Sequence, residues 1–307
     1  MFQMAESRRT GRGSRTRADN PTGILCRGVR ALLLRPGVGP SQHPKAATMS
    51  PVISSEPVLY VAWRNPRTRL IVPVARLLRC PGGDFEFAYV KGSEEAAEHG
   101  FEPFLAFPDR GAIYRSETLP PFFQNRVMPS SRPDYPEYVT SLGLEPGVAP
   151  FTLLASNDGR RATDQVEVFP ELQVTPNGQV TGRFLIRGVR HIAGAEERIA
   201  DISDGDRLYC MQDVQNEVNP FAIALRTEKH ALVGYSPDYL AEELTKLLAK
   251  DPDLLIRVER KNPPPAPRHH RLLLSLTANA PDYAGLRGGR YEPVVNHATP
   301  LPPVAAE

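Results

Sequence analysis

Between residues 182 and 262 the chain changes its hydrophobic period every few residues, and this stretch restricts the fold more than any other. GRFLIRGVRH alternates, with Phe184, Ile186 and Gly188 set against Arg183, Leu185 and Arg187; that is the pattern of a half-buried strand. Gly205-Asp206 opens a second strand, Arg207 to Gln212. Asp213 to Pro220 follows as a polar turn whose Asx side chains can bond their own backbone. Phe221 to Leu225 and Ala231 to Tyr235 read as two more short strands. Ser236 is placed to cap a helix with Pro237 at its first turn, and Tyr239, Leu240, Leu244, Leu247 and Leu248 give that helix one apolar face. LLIRVERKN, a rigid Pro-rich segment from Asn262 to Pro267, and RLLLSLTA complete the set.

The N-terminal half reads as a second small α+β module. Val58, Tyr60 and Ala62 alternate with Leu59, Val61 and Trp63, Asn65-Pro66-Arg67-Thr68 turns, and Leu70 to Val74 returns. Asp84 to Tyr89 is an alternating strand. Ser93 caps a short helix that Gly100 stops. Tyr135 to Leu142 reads as a helix. Phe151 to Ala155 and Gln165 to Phe169 read as strands around a Gly159-Arg160-Arg161 turn, and Asn177-Gly178 marks a hairpin turn at the boundary.

Charge is unevenly spread. Residues 1–48 hold nine Lys and Arg against two Asp and Glu, whereas residues 49–307 hold 28 against 33. The first 55 residues are expected to be a disordered basic leader, and residues 278–307 a flexible tail. Within 183–261 there are 12 basic and 14 acidic residues, so phosphate attraction in this stretch has to be local. Cys26, Cys80 and Cys210 are scattered, forming neither a disulfide framework nor a metal pair. Apart from His269-His270 the histidines are dispersed, no nucleophile elbow or phosphate loop appears, and no apolar run approaches the ~18 residues of a membrane span. The expectation is a cytoplasmic protein without cofactor, metal or catalytic residue, and not an enzyme. The high Pro, Arg and Ala content points to a GC-rich genome, and a bacterial protein is expected.

The order Gly188-Val189-Arg190-His191, Gly205-Asp206-x-Leu208, Asp213-x-x-Asn216-x-x-Asn219-Pro220-x-Ala222-Ile223, then Val233-Gly234-Tyr235-x-Pro237 with a helix, resembles a HIRAN domain over roughly residues 180–277. The resemblance implies an OB/SH3-like β-barrel with a packed helix. In that family's fork-remodelling ATPases the domain binds single-stranded DNA and grips its 3′ end. Arg190 then matches the family's Arg, and His191 stands where an aromatic residue stacks on a base. Asn216 matches the turn that contacts the terminal nucleotide, whereas Asn219 replaces an Asp and Val218 an aromatic residue; a carboxamide offers one acceptor where a carboxylate offers two oxygens. Tyr235 is positioned to line the same groove. Arg183, Arg187 and Arg190 form the best local basic patch, the first two on one strand face. Residues 56–172, through Phe87-Ala88-Tyr89 and Ser116-Glu117-Thr118-Leu119-Pro120, are similar to the N-terminal subdomain of HipA-type toxin kinases without any catalytic part.

The expected protein is therefore α+β and mostly β: a HipA-like module (56–172) followed by a HIRAN-like barrel (180–277). It would be a non-catalytic DNA-repair accessory protein taking single-stranded or damaged DNA ends, or DNA 3′ ends, through Arg183, Arg187, Arg190, His191, Asn216, Asn219 and Tyr235. The alternative is a regulatory module whose groove holds a protein partner. No membrane association is expected.

Overall fold

The computed structural model describes residues 58–295 and the backbone of 297–300; the basic leader lies outside the described residues. The chain begins with β1 (Leu59–Arg64), β2 (Ile71–Arg79) and β3 (Phe85–Tyr89), then α1 (Gly92–Glu98), β4 (Ala112–Ser116) and α2 (Pro121–Gln124). Next come α3 (Tyr135–Ser141), α4 (Pro150–Ser156) and β5 (Val166–Pro170). The second half runs β6 (Gln173–Val174), β7 (Gln179–Leu185), α5 (Ala195–Ala200), β8 (Arg207–Gln212), β9 (Ile223–Arg226) and β10 (Leu232–Tyr235). It ends with α6 (Asp238–Lys250), β11 (Leu255–Lys261), β12 (Leu272–Asn279) and β13 (His297–Pro300). The fold is α+β and mostly β.

Two sheets result. One has the order β13-β4-β3-β2-β1-β5, the other β10-β9-β8-β11-β12-β7-β6. All pairs are antiparallel except β13 with β4. The second sheet is not closed by a continuous ladder. Just past β7, Arg187 pairs with Tyr235 at the end of β10 through two backbone hydrogen bonds of 2.9 and 2.8 Å. The edge strand β10 and the segment just after β7 thus meet at one residue pair, and that meeting point becomes part of the wall of a cleft.

The alternation read for β7 is overridden. Phe184, Leu185 and Ile186 are all buried. Phe184 and Ile186 face the main core, while Leu185 packs with Leu273 against Tyr135, Val139, Leu142 and Leu153 of α3 and α4 and the turn after α3. Helices from the N-terminal half therefore cover the outer face of this sheet. Phe151 to Ala155, expected as a strand, is the helix α4: Pro150 occupies its first turn, and Phe151, Leu153 and Leu154 are buried. Neither expected serine cap forms. Ser93 lies inside α1, and α6 starts from Pro237 without a side-chain cap.

The main core does not divide at the boundary read from sequence. Tyr60, Ala62, Phe169 and Leu172 join the core of the second sheet, and the Phe169 ring stacks on Tyr239 of α6 at 4.3 Å. Residues 279–295, expected to belong to a flexible tail, are not loose either. They bury Ala280, Tyr283 and Leu286 in this core, Leu286 accepts a 2.7 Å hydrogen bond from the Tyr60 hydroxyl, and β13 pairs with β4.

Candidate functional site

A buried ionic cluster joins the halves and builds the floor of the site. The turn after α4 places Asp158 in the left-handed region at φ 59°, with its backbone carbonyl accepting from Val168 at 2.8 Å. Its carboxylate is ion-paired with Arg187 and accepts a 2.7 Å hydrogen bond from the Tyr239 hydroxyl. Glu167 of β5 lies 2.9 Å from Arg64, 3.7 Å from Arg160 and 3.9 Å from Arg187. Burial pushes the Glu167 carboxyl up, but Arg187, Arg160 and Arg64 outweigh it and hold it below the usual range. Asp238 completes the cluster, 2.8 Å from Arg64. Three arginines thus meet three carboxylates.

Above this floor opens a cleft of about 910 Å³. Five segments line it: Arg64 and Arg69 from the β1–β2 hairpin, Arg160 and Arg161 before β5, and Arg187 to His191 after β7. The β8–β9 loop adds Asn216 and Val218, and the neighbourhood of α6 and β12 adds Tyr235, Ser236, Asp238, Arg268 and His269. Seven of these are arginines and one is an acid. Arg268 pairs with Glu196. Among the described residues, no acidic side chain lies within ion-pair distance of Arg69, Arg161 or Arg190. The cleft therefore carries about three uncompensated positive charges by simple pairing of neighbours. Arg69, like Asp158, has positive φ, 66°; both strained positions among the cleft and its floor sit in turns, where such backbone has to be held by its surroundings. The Asn65 side-chain carbonyl supplies that hold, accepting from Arg67 at 2.8 Å and Thr68 at 3.1 Å.

The residues singled out from sequence distribute unevenly. Arg187, Arg190, His191, Asn216 and Tyr235 all line the cleft; Arg183 and Asn219 do not. Arg183 makes a bidentate pair with Glu259 at 2.7 and 2.6 Å and donates to the Leu142 carbonyl, facing α3 instead. Arg187 is neutralised by Asp158. The patch of Arg183, Arg187 and Arg190 is thus corrected: only Arg190 is free of a carboxylate, its Nε donating to His191 Nε2 at 2.9 Å. The Asn216 side-chain carbonyl accepts from Val218 and Asn219 at 3.1 and 3.0 Å, and its amide donates to Asp213. The Asn219 carbonyl accepts from Phe221 at 2.9 Å, and its amide donates to Asp238. Both carboxamides close the turn. Tyr235 donates to Asp213 at 3.0 Å, and its ring lies over Gly188, where an added Cβ would come within 2.7 Å of it.

Sequence reasoning missed Arg69, Arg160, Arg161 and Arg268. Their turns were legible, as Asn65-Pro66-Arg67-Thr68 and Gly159-Arg160-Arg161, but nothing in the spacing shows that the turns converge. Beside the cleft, Val218 and Phe221 are 45% and 41% exposed and offer apolar surface. The described residues hold no group of three or more His, Cys, Asp and Glu able to bind a metal, and no helix long and apolar enough to cross a membrane.

No family model matches the chain, and no curated protein matches it. Two solved structures are similar to part of it. The crystal structure of a protein from Lactobacillus plantarum matches at TM-score 0.27 and 17% identity, over 33% of this chain and 99% of that one. The crystal structure of the HIRAN domain of human HLTF matches at TM-score 0.26 and 16% identity, over 35% and 84%. Likeness of this size decides neither fold nor function, and neither match bears on the HipA-type resemblance.

Proposed function

We propose that this is a non-catalytic nucleic-acid-binding accessory protein that takes single-stranded or damaged DNA ends in the cleft between its two sheets. The observation that carries the reading is the convergence of Arg69, Arg161 and Arg190, none with an acidic partner, on one concave surface. Phosphate neutralisation is the chief source of sequence-independent affinity, and an overall acidic fold needs such a focus to bind DNA at all. Val218 and the Tyr235 ring in the cleft lining suit the apolar faces of unstacked bases.

Three phosphate contacts on a single strand predict a log–log salt slope of about −2. The test is fluorescence anisotropy of the full chain with a labelled single-stranded oligonucleotide at low and moderate salt. Arg69→Ala, Arg161→Ala and Arg190→Ala should each weaken binding about tenfold, the loss of one charge-assisted hydrogen bond. Absence of binding at low salt would sink the reading. Binding that all three variants leave intact would move it away from the cleft.

A further inference from the structure

Three of the residues that line the cleft carry a buried donor with no hydrogen-bond partner among the described residues. Arg187 Nη1, Arg64 Nε and the Ser236 hydroxyl are buried and without a protein hydrogen-bond partner, and all three residues line the cleft. Ser236 is 4% exposed. A buried donor left unsatisfied is costly, so three around one cleft call for an acceptor brought by the ligand.

The acceptors tell the complementary story. The Asn216 and Asn219 carbonyls are taken by backbone amides, His191 Nε2 accepts from Arg190, and Asp238 accepts from Arg64 and Asn219. A sugar hydroxyl looking for a dedicated acceptor does not find one in this turn. An oxyanion finds, among the lining residues, the guanidinium groups of Arg69, Arg161 and Arg190, none with an acidic partner among the described residues.

Resting on the single-strand reading above, we propose that the cleft takes the phosphorylated terminus of a strand, a phosphate monoester, in preference to a terminal hydroxyl. A monoester brings about −1.5 to −2 charge and three acceptor oxygens, more than an internal phosphodiester's single charge can satisfy. Arg160 fits the same picture: its guanidinium is held below its ordinary value by partial burial, and by Arg187 and Arg64 against the pull of Glu167.

The experiment uses the full chain and one labelled oligonucleotide sequence in three forms: unphosphorylated, 3′-phosphorylated and 5′-phosphorylated. Anisotropy should show at least tenfold tighter binding for one phosphorylated form, which also identifies the end. Ser236→Ala removes a hydroxyl that holds nothing in the protein, so the variant should fold, and it should cut the phosphate preference at least threefold. Equal binding of the three forms overturns the proposal while leaving the single-strand reading in place. So does preference for the 3′-hydroxyl form. Failure of all three to bind removes both.

Discussion

Asp158 and His270 show how much of this molecule rests on single titratable side chains. Asp158 is buried, bonded to Arg187 and Tyr239 from two other elements, and held in a left-handed turn. Asn tolerates that backbone and keeps the shape, so Asp158→Asn isolates the charge. Removing one partner leaves Arg187 buried beside Glu167 alone, which should cost about 3 kcal/mol, read as a lower urea midpoint. His270 is 4% exposed, lies 5.6 Å from the Tyr138 ring, and burial followed by Arg187 pushes it down to about 4 from 6.5. Its folded value lies below its unfolded one, so on acidification the unfolded chain takes up the proton first. Stability should therefore fall as pH drops from about 6.5 to about 4, by up to about 3 kcal/mol from this group. Chemical denaturation across that window should show a flatter slope for His270→Gln than for the parent; identical slopes would remove His270 from the account.

At the scale of elements, β7 is the test case, because its two faces are buried against different partners. Leu185 points away from the main core and under the helices of the N-terminal half. Leu185→Ala should cost about 2–5 kcal/mol, as for a core leucine, whereas the outward face of a free-standing barrel strand would tolerate it. Thermal or urea denaturation decides. The strands were largely legible: β1 and β3 follow from period-two runs, and β2, β8 and β12 from short runs beside turn residues, although β2 continues to Arg79, beyond the expected Val74. The outer cover of β7 was not, because alternation reports one buried face and cannot foresee a second layer. FTLLA was read as a strand because a five-residue apolar run has no period to settle it; Pro150 ahead of it was the overlooked signal. For the site, Arg190, His191, Asn216 and Tyr235 were reachable through motif order along one stretch. Arg69 and Arg161 were not, because the β1–β2 hairpin and the turn before β5 reach the cleft only through tertiary packing.

For the whole molecule, the shared core means that the N-terminal half and residues 180–277 are not separable parts. Tyr60 and Phe169 lie in the same buried cluster as Tyr239, Leu244 and Ile256. A fragment of residues 176–278 should expose that cluster and lose fixed packing, giving poorly dispersed amide resonances, whereas the full chain gives a dispersed spectrum. A well-dispersed fragment would show that the stretch folds alone. The pairing of β13 with β4 has a consequence for biosynthesis. The partners are 185 positions apart, His297 against Ala112, and β13 is the last of the described elements to leave the ribosome. Until then the edge of the first sheet stays unpaired, open to another nascent chain. Such late closure ties maturation of the N-terminal sheet to synthesis of residues 297–300, so a product that stops short of them would carry an adhesive edge.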